Sequence, residues 1–423
     1  MKTGSILNKR GIFASIIGNV IEWYDFALFL SLAPIISSNF FPKTNKLSAL
    51  LLTFLVFAMG FLLRPIGSII FGHLGDRIGR AKTLKLTIFL MAISAIGIAI
   101  SPSYQTAGVY APIILTLLRM LQGLCISGEF AGSMIYLTES APDKKRAFIS
   151  CMTNNGSNLG IALATACSAL LAMLMSKMLF NTYGWRILFM LGGLIGLFGL
   201  WLRSDIQESE VFKKIRAKTI DKAPLLTVFR DQKRLVFNIF LLLIMSAAGT
   251  YVLMGYLTTY LHVYMNYTLE KALQLQAMLN IFILFLTTFF SVICDKYGRK
   301  ATLYFAALGY VVLSIPCFYF LKTSGLWYWL LPMVIIYASE QASTPVTIVE
   351  MYPGSARYSG VSIGYNLSMV IIGGTAPLVN TWLINTFHNT LMIAYYLIAC
   401  ALISLTVIMF KLPLYFGEAL ALD

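Results

Sequence analysis

Two carboxylates, Glu22 and Asp25, stand three residues apart inside one long apolar run, and Arg64, Arg119, Glu129 and Glu340 interrupt three others. On a helix that spacing puts Glu22 and Asp25 on one face, within about one turn of depth. An ion at a bilayer centre costs about 2.5–3.5 kcal/mol on insertion scales, so each of these side chains is expected to have a partner or a task. Two acids so close in poor solvent do not both ionise readily, which is the property a proton-coupling site needs. Arg119 and Glu129 lie ten residues apart, about 15 Å of helical rise, too far to pair with each other. Arg119 is therefore expected to answer Asp25 or Glu22 across the bundle, and Glu129 to answer Arg64. In the functional reading, a proton on the first-span acids loosens Arg119, which then engages the solute. In the structural reading these are permanent ion pairs that set helix register, and both readings stand at this level.

Acids inside spans outnumber bases, which disfavours a multiply anionic solute unless protons accompany it. A zwitterion needs an anion site and a cation site, the latter often aromatic. Trp23, Tyr24, Tyr251, Tyr256 and Tyr260 offer rings, although packing is the commoner use for any one of them. Glu340, Gln341 and Asn366 are polar groups a solute would meet from the other side, and Asn155 and Asn366 fit helix-to-helix hydrogen bonding as well.

The elements that must carry these residues are membrane spans. A chain of 423 residues that is 58% hydrophobic and 12% charged is not a water-exposed enzyme. Apolar stretches run approximately over 11–38, 48–72, 83–101, 110–138, 147–176, 184–203, 234–262, 272–294, 301–321, 326–350, 357–385 and 389–410. Each is long enough for a helix of about 20 residues, which makes twelve spans. The net charge of +15 does not mark a nucleic-acid partner, because Lys and Arg crowd alternate loops: 2–10, 77–85, 144–146, 203–234 and 296–300. The loops between them hold only Lys43, Lys46, Lys177, Arg186, Lys271 and Lys322, so both termini are expected in the cytoplasm. Glu22 and Asp25 break the first apolar run, which reads as an uncleaved span rather than a secretory signal. Six dispersed cysteines without a CxxC pair, and three dispersed histidines, predict neither disulfides nor a metal site.

The chain repeats itself. A shift of 211 residues superimposes Glu129 on Glu340, Glu139 on Glu350, Pro142 on Pro353, Arg146 on Arg357 and Asn155 on Asn366. Asp76-Arg77-Ile78-Gly79-Arg80 is echoed by Asp295-Lys296-Tyr297-Gly298-Arg299. Two six-helix bundles, 1–203 and 234–423, joined by a cytoplasmic linker at 204–233, fit a transporter with its site between the halves at the midplane.

Residues Gly72-His73-Leu74-Gly75-Asp76-Arg77-Ile78-Gly79-Arg80 and Arg119-Met120-Leu121-Gln122-Gly123 resemble the loop and fourth-helix signatures of the major facilitator superfamily. Gly18-Asn19-Val20-Ile21-Glu22-Trp23-Tyr24-Asp25-Phe26, Arg64-Pro65-Ile66-Gly67 and Gly128-Glu129-Phe130-Ala131-Gly132 are similar to its metabolite:proton symporters. The resemblance implies an all-α membrane protein with the major facilitator fold, working as a proton-driven symporter without a cofactor. It also implies a cytoplasmic gate in which Asp76, Arg77 and Arg80 meet the start of the eleventh helix near Arg357. Asp295 and Arg299 mirror them near Arg146, with Glu139 and Glu350 receiving the arginines. The expected cargo is a small carboxylate-bearing metabolite, a proline- or betaine-like zwitterion ahead of 2-oxoglutarate or citrate, carried with a proton by a monomer in a bacterial inner membrane. A membrane nutrient sensor that transports nothing is the alternative of another class, and an enzyme is not expected. The sequence runs about a dozen residues past the last span with no heptad tail, so the coiled coil of osmosensing relatives is not expected.

Overall fold

The computed structural model describes residues 9–42, 44–78, 80–125, 129–202, 232–352 and 357–412, and side chains within them except at 9–15, 68, 72, 73, 75–78, 80, 81, 84, 129, 202, 358 and 359. The expected linker, and the side chains of Asp76, Arg77, Arg80 and Glu129, therefore lie outside the described residues. Each of the twelve apolar stretches is largely helical over its described residues. In chain order they are α1 (Lys9–Ser31, resumed as Ala33–Phe40), α2 (Lys46–Leu62, resumed as Arg64–Ile78), α3 (Arg80–Ile100), α4 (Tyr110–Cys125, resumed as Glu129–Ser140), α5 (Met152–Leu174, preceded by Arg146–Ser150) and α6 (Trp185–Leu202). The second set is α7 (Lys233–Gly249, resumed through Tyr264), α8 (Leu269–Tyr297), α9 (Arg299–Ser324), α10 (Leu331–Glu350), α11 (Arg357–Ser368, resumed through Thr386) and α12 (Met392–Phe410). Among the described residues nine helices are long and apolar enough to cross a membrane, or ten if the bent α1 pair is one span, and Lys85–Ile100 is a shorter apolar helix.

Packing repeats with the sequence. In the first set α1 lies along α5, α2 along α4 and α3 along α6; in the second, α7 lies along α11, α8 along α10 and α9 along α12. Each pair in one set is matched by the pair six helices on. Across the sets α5 runs against α8, α2 against the far part of α11, and the resumed α4 against α10 and α11.

Local chemistry sets the irregularities that matter. α1 bends by 67° between its two parts, where Pro34 has no N–H to give and its ring crowds the preceding turn. α2 and α4 approach so closely that a Cβ on Gly123 would lie 1.7 Å from the Gly60 carbonyl oxygen. Only a residue without a side chain fits there, and the approach brings Arg119 of α4 up to the α1–α2 pair. Gly298, at φ 93, turns the chain between α8 and α9 in a conformation that L side chains avoid. α7 loosens into wider π-type turns over Thr250–Tyr256 and Tyr260–Tyr264, as α11 does over Met369–Gly373.

Candidate functional site

Asp25 on α1 and Arg119 on α4 form an ion pair, Nη1 to Oδ2 at 3.3 Å, with both side chains buried. The same Nη1 donates to Oε1 of Gln122 at 2.8 Å. The guanidinium is boxed by rings, its Cζ standing 4.3 Å from the centroid of Phe29, 4.7 Å from Phe26 and 5.6 Å from Phe57. Phe26 also faces Arg64, whose Cζ lies 5.0 Å from it and 4.0 Å from Phe61. Desolvated cation–π contacts are worth about 2 kcal/mol, enough to help hold two guanidiniums in an apolar setting. Glu22 is buried one turn before Asp25, and the pairing expected between Arg64 and Glu129 falls outside the described side chains.

A narrow cavity of about 20 Å³, room for little more than a water, lies between the two helix sets, so a solute fits here only when the sets move apart. Trp23 of α1, Phe130 of the resumed α4, and Asn154, Ser157 and Asn158 of α5 line one side. Ser246 and Thr250 of α7, Tyr337 and Gln341 of α10, and Tyr365 of α11 line the other. Asn154 bridges the sides, its amide donating to the Gln341 carbonyl at 2.8 Å, while the Gln341 amide donates to Thr250 Oγ1 at 3.2 Å and to Glu340 Oε2 at 3.1 Å. No Lys or Arg lines this cavity among the described residues.

Of the residues expected to meet a solute, the structure brings only Trp23 and Gln341 to the cavity wall. Tyr24 points the other way, donating to the Leu188 carbonyl at 3.3 Å and lying over Gly192 of α6. Tyr256 accepts from Thr381 at 3.0 Å nearer the far end, and Tyr260 packs on Phe318. Glu340 sits one layer behind Gln341 and accepts from Thr344 Oγ1 at 2.6 Å. Arg64, Arg119 and Asn366 are buried but are not part of the wall. Asn155 ties α5 to α8, donating to Thr288 Oγ1 at 2.9 Å. Asn158, on the wall, was not among the residues expected from sequence. Its signal is there in the run Thr153-Asn154-Asn155-Gly156-Ser157-Asn158, which is too polar for a lipid-facing helix.

At the end carrying the basic loops, the one expected to face the cytoplasm, the two sets are latched reciprocally. Arg146 donates to Glu350 Oε1 at 3.0 Å, and Arg357 donates to Glu139 Oε1 at 2.6 Å. Arg299 holds Glu350 with two bonds of 3.1 Å. Asp295 accepts the backbone N–H of Ala147 at 2.8 Å and of Phe148 at 2.9 Å, covering the positive start of the short helix that leads into α5. The opposite end is closed by apolar contact: Phe54 meets Tyr256 with centroids 5.6 Å apart, and Leu30 fills the space beside Gly255.

A helical protein with paired six-helix sets, a shared central cavity and a reciprocal latch is built as a carrier. The sequence profile of the Major Facilitator Superfamily matches residues 15–369. The chain belongs to that superfamily. It is 35% identical over 405 residues to a "putative proline/betaine transporter" of Staphylococcus haemolyticus, covering 95% of this chain and 86% of that one. It is 30% identical over 410 residues to the proline/betaine transporter of Escherichia coli, covering 94% and 82%. Among solved structures, the xylose transporter XylE from E. coli in a partially occluded inward-open conformation superimposes with a TM-score of 0.75 at 20% identity, covering 95% of this chain and 97% of that one. This superfamily member is accordingly a multi-pass secondary transporter of the metabolite-carrying kind and not an enzyme. Its bacterial relatives place it in the plasma membrane, the inner one where there are two.

Proposed function

We propose that this transporter is a proton-coupled symporter that imports a small zwitterion bearing a carboxylate, of the proline or betaine kind, by alternating access between two six-helix bundles. The observation that carries the reading is the Asp25–Arg119 pair, buried in a ring box beside a cavity shared by both helix sets. A carboxylate and a guanidinium sealed from water stabilise each other, and a proton arriving on Asp25 cancels that attraction. Arg119 keeps its bond to Gln122 on its own helix and its contact with Phe57 of α2, so the guanidinium is not left bare when its grip on Asp25 of α1 loosens. Relaxation of this contact lets the bundles rock, while the Glu350 and Glu139 latches break and re-form at the inner end.

The absence of Lys or Arg from the cavity wall among the described residues favours a zwitterion over a di- or tricarboxylate, which would need a compensating cation. The relatives' names point the same way. Both helix sets of a single chain contribute to the wall, which supports reading the monomer as the transporting unit.

Reconstituted in vesicles with an acidic exterior, the protein is expected to accumulate labelled proline or glycine betaine, and an uncoupler to abolish the accumulation. Asp25→Asn is expected to lose gradient-driven accumulation while still exchanging labelled for unlabelled solute. Accumulation that ignores the pH gradient, or survives unchanged in Asp25→Asn, overturns the proton role.

A further inference from the structure

Several of the polar atoms on the residues that line the cavity are spoken for by one another. Asn154 and Gln341 bridge the bundles, and Thr250 shares a bond of 3.2 Å with the Tyr337 hydroxyl. Two are not. Trp23 Nε1 and Asn158 Nδ2 are buried donors with no hydrogen-bond partner, on residues that line the wall and are only 6% and 2% exposed. An unmatched buried donor costs roughly 1–3 kcal/mol, a cost that an acceptor atom of a ligand reaching it would remove. Both belong to the α1–α5 pair, whose close packing fixes them on one side of the cavity. Both are N–H groups, so the ligand atoms that complete them are acceptors.

Beside these donors stands a run of rings. Phe130 stacks on Tyr365 at 4.8 Å and 22°, and Trp23 lies 6.1 Å from Phe130 and 5.9 Å from Tyr251. Ring faces attract an organic cation, quaternary ammonium above all. Arg119, the natural candidate for binding a carboxylate, is committed to Asp25, Gln122 and its ring box, and is not on the wall.

We propose that the carboxylate of the solute is anchored by two uncharged donors, Trp23 Nε1 and Asn158 Nδ2, rather than by a guanidinium, with its cationic end set against the Phe130–Tyr365 ring pair. The inference rests on the zwitterion reading above and assigns the groups that read it. Neutral donors leave the charge balance of the cavity unaltered when cargo enters or leaves, so the ion pair behind α1 responds to the proton and not to the cargo. A site built to donate two hydrogen bonds also rejects an analogue that cannot accept them.

The test uses the full-length protein in vesicles and measures exchange of labelled glycine betaine against two competitors, unlabelled betaine and choline, the latter a trimethylammonium cation without a carboxylate. Removing one donor to a charged acceptor is expected to weaken betaine about tenfold to a hundredfold. Trp23→Phe, which keeps a ring, should therefore raise the betaine concentration needed for half-maximal competition by that factor and leave choline's unchanged. Asn158→Asp, which sets a like charge against the carboxylate, should reverse the order so that choline competes better than betaine. A variant that is merely misfolded loses both competitors in equal proportion, and equal loss in both variants overturns the assignment, as does no change in the betaine-to-choline ratio. Wild-type protein that exchanges neither betaine nor proline overturns the zwitterion reading itself, and the anchor with it.

Discussion

Glu350 receives Arg146 from one bundle and Arg299 from its own, and all three side chains are at most 5% exposed. Replacing it by Gln leaves Arg146 only the exposed Asp143 and Arg299 only its 3.5 Å contact with Asp295, a loss of up to about 3–5 kcal/mol for a broken buried pair. Glu350→Gln is therefore expected to open the inner end, seen as faster labelling of cysteines placed in the cavity by a reagent applied from the cytoplasmic side, with transport much reduced. Glu139 carries the symmetry-related role, but its side chain is 45% exposed. Its contact with Arg357 is screened by water, so Glu139→Gln is expected to cost no more than about 1 kcal/mol and to transport near the wild-type rate. Unequal effects of two residues superimposed by the repeat would show that burial, not position in the motif, sets the strength of the latch. The charged members of this network were legible in the sequence because ions are rare in lipid and matched ions rarer. The ring box of Phe26, Phe29 and Phe57 was not, since nothing distinguishes these three from the other phenylalanines until α2 and α4 are brought together.

The helices themselves were legible because the bilayer has no other partner for backbone N–H and C=O groups, so long apolar runs become helices almost by necessity. Which face of a helix meets the cavity is a different matter. Hydropathy reports depth, while orientation comes from packing against neighbours. That is why Tyr24, expected at the solute, lies instead against α6, while its neighbour Trp23 lines the cavity. The π-type turns of α7 and α11 also left no mark in the sequence beyond scattered small residues. The α2–α4 contact makes a sharper prediction. Gly123→Ala places a methyl within 1.7 Å of the Gly60 carbonyl oxygen. Backbone cannot yield as a flexible side chain does, so the helices must part. A loss of about 1–3 kcal/mol is expected for such overpacking, read as a lower unfolding temperature in detergent, together with slower exchange because Arg119 withdraws from Asp25. An unfolding temperature and an exchange rate equal to the wild type's would refute this account of the contact.

Both ends of the molecule are shut over the cavity, the inner end by ions and the outer end by rings and aliphatic side chains. Transport requires each closure to open in turn. A Cβ on Gly255 would lie 3.1 Å from the Leu30 Cβ, close to the separation a disulfide spans. Leu30→Cys with Gly255→Cys should therefore lock the outer end when oxidised and stop uptake, with full recovery on reduction. Uptake that continues through the oxidised pair would mean that α1 and α7 do not separate during transport. The twofold plan of the molecule was readable from the 211-residue shift, and the contacts of α1–α6 recurring in α7–α12 give it physical form.

Two positions on α1 carry a last implication. Trp23 and Asp25 are two residues apart, which on a helix turns their side chains to nearly opposite sides, the one toward the cavity and the other toward Arg119. Residues that judge the passenger and residues that harness the driving force thus occupy separate real estate on one helix. Drift on the first side can give descendants of this carrier new diets without disturbing the engine on the second.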